Sequence, residues 1–157
     1  MPLVTFSGPD RPVSRQTGDF TRTLVEPWAV EWCPTPSVTH RIVLPAGIDY
    51  NPSAPGVTHA LVPVSRMMVA SLPHDVLYKL QGEAEGYVIN TKNYQSPEMP
   101  LSRAYADRLF KQIMARCGVA PWRRQAAYWS VRAFGWAAWN ENDSPNYPDP
   151  PYGPSRW

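Results

Sequence analysis

The chain has little of three things that usually announce a function. Its two cysteines, Cys33 and Cys117, stand far apart and show no paired spacing, so no zinc framework or disulfide scaffold is expected and free thiols are the default. No apolar run approaches the ~18 residues a membrane span requires, and the start Met1-Pro2-Leu3-Val4 lacks the basic lead and apolar centre of a signal peptide. A soluble protein made in the cytoplasm is the expectation. Charged residues are only 18% of the chain and the net charge is +2, so bulk electrostatics does not call for nucleic acid.

Proline is in excess, with 19 among 157 residues, and each one fixes φ and removes a backbone donor. Much of the molecule must therefore be extended or looped. An apolar fraction of 43% and an aromatic fraction of 12% still permit one folded domain of this length. Charge is uneven along the chain: residues 101–132 hold seven basic residues, from Arg103 to Arg132, against the single acid Asp107. Such a segment suits an acidic partner or a solvated helix face, and no nucleic-acid module motif accompanies it.

Periodicity predicts an α+β fold. Short apolar stretches at Leu3–Phe6, Thr21–Val25, Trp28–Trp32 and Val38–Leu44 read as strands, and the interrupting prolines favour a small antiparallel N-terminal sheet. Residues 45–63, with four prolines, read as an ordered loop. Val64–Leu80 reads as a helix bent by Pro73 just before His74. Residues 81–100 are polar apart from Tyr87-Val88-Ile89 and read as an excursion or hairpin.

A second helix is capped by Ser102, follows an i, i+3, i+4, i+7 pattern through Cys117, and stops at Gly118. A third runs from Pro121 to Trp139 with apolar residues on two faces. Either this helix is central to the fold, which is the simpler account, or another molecule covers one face through residues such as Trp129 and Trp136. The expected architecture is thus an α+β domain over residues 1–139 with about three helices. Residues 140–157 form an extended proline-rich arm, and its Tyr147, Tyr152 and Trp157 are spaced like docking anchors.

The chemistry-bearing feature is His74-Asp75, with Tyr78 one helical turn further on the same face. A histidine titrates near neutrality and can act as a general base, while a neighbouring carboxylate can hold a hard cation. Asp107 lies on the next helix between Arg103 and Lys111, where surface ion pairs at i to i+4 are the plain reading. If the two helices pack antiparallel, Asp107 can instead bond one ring nitrogen of His74 and leave the other to activate water.

These residues carry a resemblance. Leu44-Pro45-Ala46-Gly47, Asp49-Tyr50-Asn51, Ser53-Ala54-Pro55, His74-Asp75-Val76-Leu77-Tyr78, Arg103 with Ala106-Asp107, and Val131-Arg132-Ala133-Phe134-Gly135 together resemble an uncharacterised bacteriophage and prophage domain family. The family's usual threonine-aspartate element is replaced or shifted, so Asp49 or Asn51 stands near its place, and Asn51 could cap the loop in its stead. The His-Asp site with its tyrosine is also similar to that of secreted calcium-dependent phospholipases. That resemblance implies calcium at Asp75, but their glycine-rich calcium loop and disulfide frame are missing. A metal phosphohydrolase pattern using His59, His74-Asp75 and Asp107 is the weakest likeness, since His59 falls in the proline-rich loop.

The phage resemblance, the arm and the tryptophan helix lead to the expectation of a virion-associated structural protein. It would belong to the tail or head-tail connection, be made in the host cytoplasm, and dock on other virion proteins in a multi-copy assembly, without nucleic acid or cofactor. His74, Asp107, Asp75, Tyr78, Arg103, Asn51 and Ser53 would then be structural. The alternative is a virion-carried or lytic hydrolase of lipid or cell wall, with His74 as base, Asp107 as orienter and Asp75 as ligand for a divalent cation such as calcium.

Overall fold

A computed structural model describes residues 4–52, 62–90, 100–140 and 147–152. The strands are β1 (Val4–Ser7), β2 (Ser14–Gln16), β3 (Arg22–Leu24), β4 (Trp28–Thr35), β5 (Val38–Leu44), β6 (Asp49–Tyr50) and β7 (Val88–Asn90). The helices are α1 (Val64–Lys79), α2 (Arg103–Arg116) and α3 (Pro121–Asn140). The fold class is α+β, as the periodicity predicts.

The strands divide into two antiparallel sheets, one of order β1-β4-β5-β7 and one of order β2-β3-β6. Alternation orients the larger sheet. Trp28, Val30 and Trp32 of β4 stand opposite Leu44, Ile42 and His40 of β5, and all six are buried on one face. The β4–β5 register shifts between Trp32 and Thr35, at the place where Pro34 cannot donate to the ladder. Of the stretch read as an excursion or hairpin, residues 91–99 lie outside the described residues. Residues 88–90 form β7 and close the far edge against β5.

The helices lie against the sheet through a polar contact as well as an apolar one. The ring of Tyr105 on α2 packs edge-on to Trp32 at 4.6 Å, and its hydroxyl shares a 2.7 Å hydrogen bond with His40 Nδ1. Burial depresses the His40 pKa, so this histidine stays neutral and serves as a bridge between sheet and helix.

The central helix is α1, which runs unbroken through Pro73 and buries residues on most of its circumference, among them Met67, Leu72, His74 and Leu77. By contrast α3 buries only Ala127, Val131 and Gly135. Its tryptophan stripe faces outward, so the simpler account offered by the sequence, a helix buried on both faces, does not hold. For α2, Ser102 caps the first turn by accepting the Tyr105 amide at 3.1 Å, and Gly118 turns the chain with φ +72°.

After α1 the chain turns through Gln81 (φ 49°) and Gly82 (φ 77°), and Gly82 exchanges backbone contacts with Leu77 and Leu101. A side chain at Gly82 would be built into the Leu101 carbonyl, on top of an unfavourable φ. Gly82→Ala is therefore expected to lower stability by at least about 2 kcal/mol, read from the denaturant midpoint.

Candidate functional site

His74 is placed by the buried stretch Ser71-Leu72-Pro73 of α1, and α2 returns alongside it with Asp107 facing in. The His74 Nε2 lies 3.1 Å from Asp107 Oδ1. Asp107 is fully buried, and two further donors reach it: the Tyr78 hydroxyl at 2.6 Å on Oδ1 and Arg132 Nη1 at 2.9 Å on Oδ2. The ring of His74 is held between Tyr78, with centroids 4.1 Å apart, and Phe110 at 4.9 Å.

The other ring nitrogen has a different environment. His74 Nδ1 sits 3.6 Å from Asp75 Oδ1, longer than a hydrogen bond, while Asp75 Oδ2 accepts the Asn51 backbone amide at 2.8 Å. About a quarter of the Asp75 side chain is exposed, against under a tenth of His74. One nitrogen is thus committed to a buried carboxylate, and the other lies beside a partly hydrated one.

Protonation follows from these contacts. Burial alone would lower the His74 pKa, but the hydrogen bond to Asp107 and the proximity of Asp75 outweigh it and raise the value above the ordinary histidine range. Burial would likewise raise the Asp107 pKa, yet donors from His74, Tyr78 and Arg132 hold it below the usual carboxylate range. Burial and the adjacent Asp107 charge push the Tyr78 hydroxyl well above its ordinary pKa, so it remains a donor.

The structure sorts the residues singled out by sequence. His74, Asp75, Tyr78 and Asp107 form one cluster, and the Asn51 backbone joins it at Asp75. Arg103 does not pair with Asp107. It donates to the Val131 and Arg132 carbonyls at 3.3 and 3.1 Å and ties α2 to α3, while Lys111 reaches Gln125 Oε1 at 2.6 Å.

Trp129 and Trp136 are exposed on α3. Tyr147 lies on the chain's own domain, with its hydroxyl on the Asp49 carbonyl at 3.2 Å and Lys79 Nζ 5.5 Å from its ring centre, and Tyr152 is exposed. Ser53, His59 and Trp157 fall outside the described residues.

Two contributors were not singled out. Arg132 supplies the cation for Asp107, and Gly135 makes room for Tyr78, since a Cβ there would stand 2.5 Å from the Tyr78 hydroxyl. The available signal was the Val131–Gly135 segment itself, where arginine and glycine lie within one turn on the α3 face that carries Val131.

Calcium takes six to eight oxygens, and no group of three or more metal-ligating side chains occurs among the described residues. Asp75 Oδ2 already accepts an amide.

An α+β domain with a buried Asp–His pair shared among three helices is the class that this fold and site define. Residues 24–131, well over half of the chain, match a family described as a protein of unknown function, DUF1353, and the chain belongs to that family. No curated protein and no solved structure matches it.

Replacing Asp107 strands His74, Tyr78 and Arg132 together. Asp107→Ala is expected to cost about 3 kcal/mol, the lower end for a broken buried pair because Arg132 is partly exposed and can rehydrate. The pH profile should be two-sided. The raised His74 pKa gives stability that is present below about pH 6.5 and fades as pH rises through the raised value. The lowered Asp107 pKa gives stability that is present above about pH 4 and fades as pH falls through the lowered value. Urea midpoints measured from acid to alkaline pH should peak between these limits, and Asp107→Ala should flatten both shoulders.

Proposed function

We propose that the protein is a hydrolase of lipid or cell-wall material, of bacteriophage origin and carried in the virion or used in lysis, in which His74 is the general base. What supports this is the division of labour at one imidazole. Nε2 is held 3.1 Å from fully buried Asp107, and Nδ1 lies 3.6 Å from the partly exposed Asp75 carboxylate. With the Nε2 proton donated to Asp107, the Nδ1 lone pair is the one able to accept a proton from water.

The proposed step is balanced within these residues. Water gives its proton to Nδ1 as its oxygen attacks the acyl carbon, and the imidazolium so formed lies between the Asp107 and Asp75 carboxylates. The same proton then passes from Nδ1 to the leaving group. Asp107 keeps its own charge throughout, because Arg132 and Tyr78 hold it as a carboxylate. Tyr78 and Arg132 are positioning residues in this scheme, and no cation is required by it.

A second reading is favoured by the same carboxylate. Asp107 gathers donors from α1 and α3 onto α2, which is what a fold-holding node in a virion structural protein of the tail or head-tail connection would do. Its partners would be other virion proteins, met through the exposed aromatic residues.

The two readings part at His74→Gln, a substitution that keeps a polar group of similar size. The hydrolase reading expects the wild type to cleave at least one of three substrates: a short-chain ester, phospholipid vesicles or peptidoglycan. His74→Gln should lower that rate by roughly 10²–10⁴-fold while the protein stays folded. The rate should rise with pH through the raised His74 pKa, because only the neutral ring accepts a proton. Absence of activity on all three substrates, with His74→Gln less stable or poorly incorporated into particles, would assign the site to structure.

A further inference from the structure

The face of α3 opposite the site carries a pattern that neither reading uses. Trp122, Trp129 and Trp136 recur every seven residues and are exposed by 62%, 60% and 60%. Two turns of helix return within about 20° of the same direction, so the three indoles form one stripe about 21 Å long. The buried residues Ala127, Val131 and Gly135 lie on the other side of the helix. Ala126 and Ala133, each four residues after an indole, lie along the same side of the helix.

Large exposed rings cost free energy in water, and a contiguous row of them marks a surface that something covers. The residue types select the occupant. A seam for a second helix is ordinarily built from Leu, Ile and Val, whereas indoles with an apolar body and one N–H suit the boundary between lipid chains and headgroups. Charge points the same way. Residues 121–140 contain Arg123, Arg124 and Arg132 and no acidic residue; Arg132 is committed to Asp107 and Arg124 to the Val119 carbonyl, which leaves Arg123 beside the stripe.

An anionic surface meets Arg123 with opposite charge. Arg123 also lies over the Trp122 ring at 5.1 Å, which puts a cation at the start of the stripe.

We infer that α3 docks the protein peripherally on an anionic lipid surface, with Trp122, Trp129 and Trp136 inserted at the headgroup boundary and Arg123, beside Trp122, reaching the phosphates. The inference rests on α3 alone and holds whether or not His74 performs hydrolysis. The helix lies along the surface and does not cross it, because its inner face remains packed on α2.

The test uses the full chain with vesicles of phosphatidylcholine alone and of phosphatidylcholine mixed with phosphatidylglycerol, in a flotation assay. The protein should float with the mixed vesicles, and Trp122→Ala/Trp129→Ala/Trp136→Ala should weaken binding at least about tenfold while circular dichroism stays unchanged. Arg123→Gln should reduce the preference for phosphatidylglycerol roughly fivefold, a second measure that spares the indoles. His74→Gln should bind as the parent does, which separates docking from catalysis. The inference is overturned if the wild type ignores both vesicles, or if the triple variant floats as well as its parent. It is equally overturned if the wild type is a dimer that the triple variant renders monomeric, which would give the stripe to a second copy.

Discussion

One buried charge organises the helical half of this molecule. A carboxylate removed from water loses several kcal/mol of hydration, and only close donors of good geometry can offset that loss. Asp107 is fully buried and meets the requirement with donors from two other helices, His74 and Tyr78 on α1 and Arg132 on α3. The two oxygens are shared out, Oδ1 to α1 and Oδ2 to α3. The relative placement of three helices is thereby coupled to one functional group, and Gly135 is the concession in bulk that lets Tyr78 reach it.

This arrangement constrains the chemistry as well as the fold. Arg132 and Tyr78 lower the basicity of Asp107, so a proton shared between His74 and Asp107 stays with the histidine. Asp75, less buried and bonded through its other oxygen to the Asn51 amide, adds a second negative charge near the ring. The hydrogen bond to Asp107 and the nearby Asp75 charge favour the imidazolium despite burial. An orienting role and a structural role for Asp107 are therefore the same set of hydrogen bonds seen from two sides. Only the nitrogen that faces Asp75 distinguishes them.

Much of the fold was legible because local signals agreed with the tertiary outcome. Ser102 and Gly118 mark the ends of α2 by capping chemistry, and alternation in Trp28–Trp32 and Val38–Leu44 fixes which face of the sheet is buried. The His74, Tyr78 and Asp107 association followed from a one-turn spacing and an antiparallel return. The identity of the cation did not. Arg103 and Lys111 were the sequence neighbours of Asp107, but a side chain pointing inward leaves its i±4 neighbours nearer the helix flanks, and both bond elsewhere. Arg132, 25 positions away, could be identified only once α3 was docked. Composition was equally silent on which apolar stripe of α3 faces inward. Size decides it, since Ala127 and Gly135 allow close approach where tryptophans would hold the helices apart.

The consequence is a helix with two separate duties. The inner face of α3 completes the Asp107 cluster through Arg132 and Gly135, and its outer face presents indoles that contribute nothing to that cluster. The start of the arm shows a comparable economy. Tyr147 is bonded to the Asp49 carbonyl and lies over Lys79, while the Pro148 carbonyl accepts the Tyr87 hydroxyl, so this stretch straps β6, the end of α1 and the approach to β7 together. A ring placed to anchor another protein would leave its hydroxyl and its face unsatisfied. Tyr147 satisfies both within its own chain, and among the described residues of the arm the exposed ring is Tyr152. The arm accordingly begins as part of the domain that it follows.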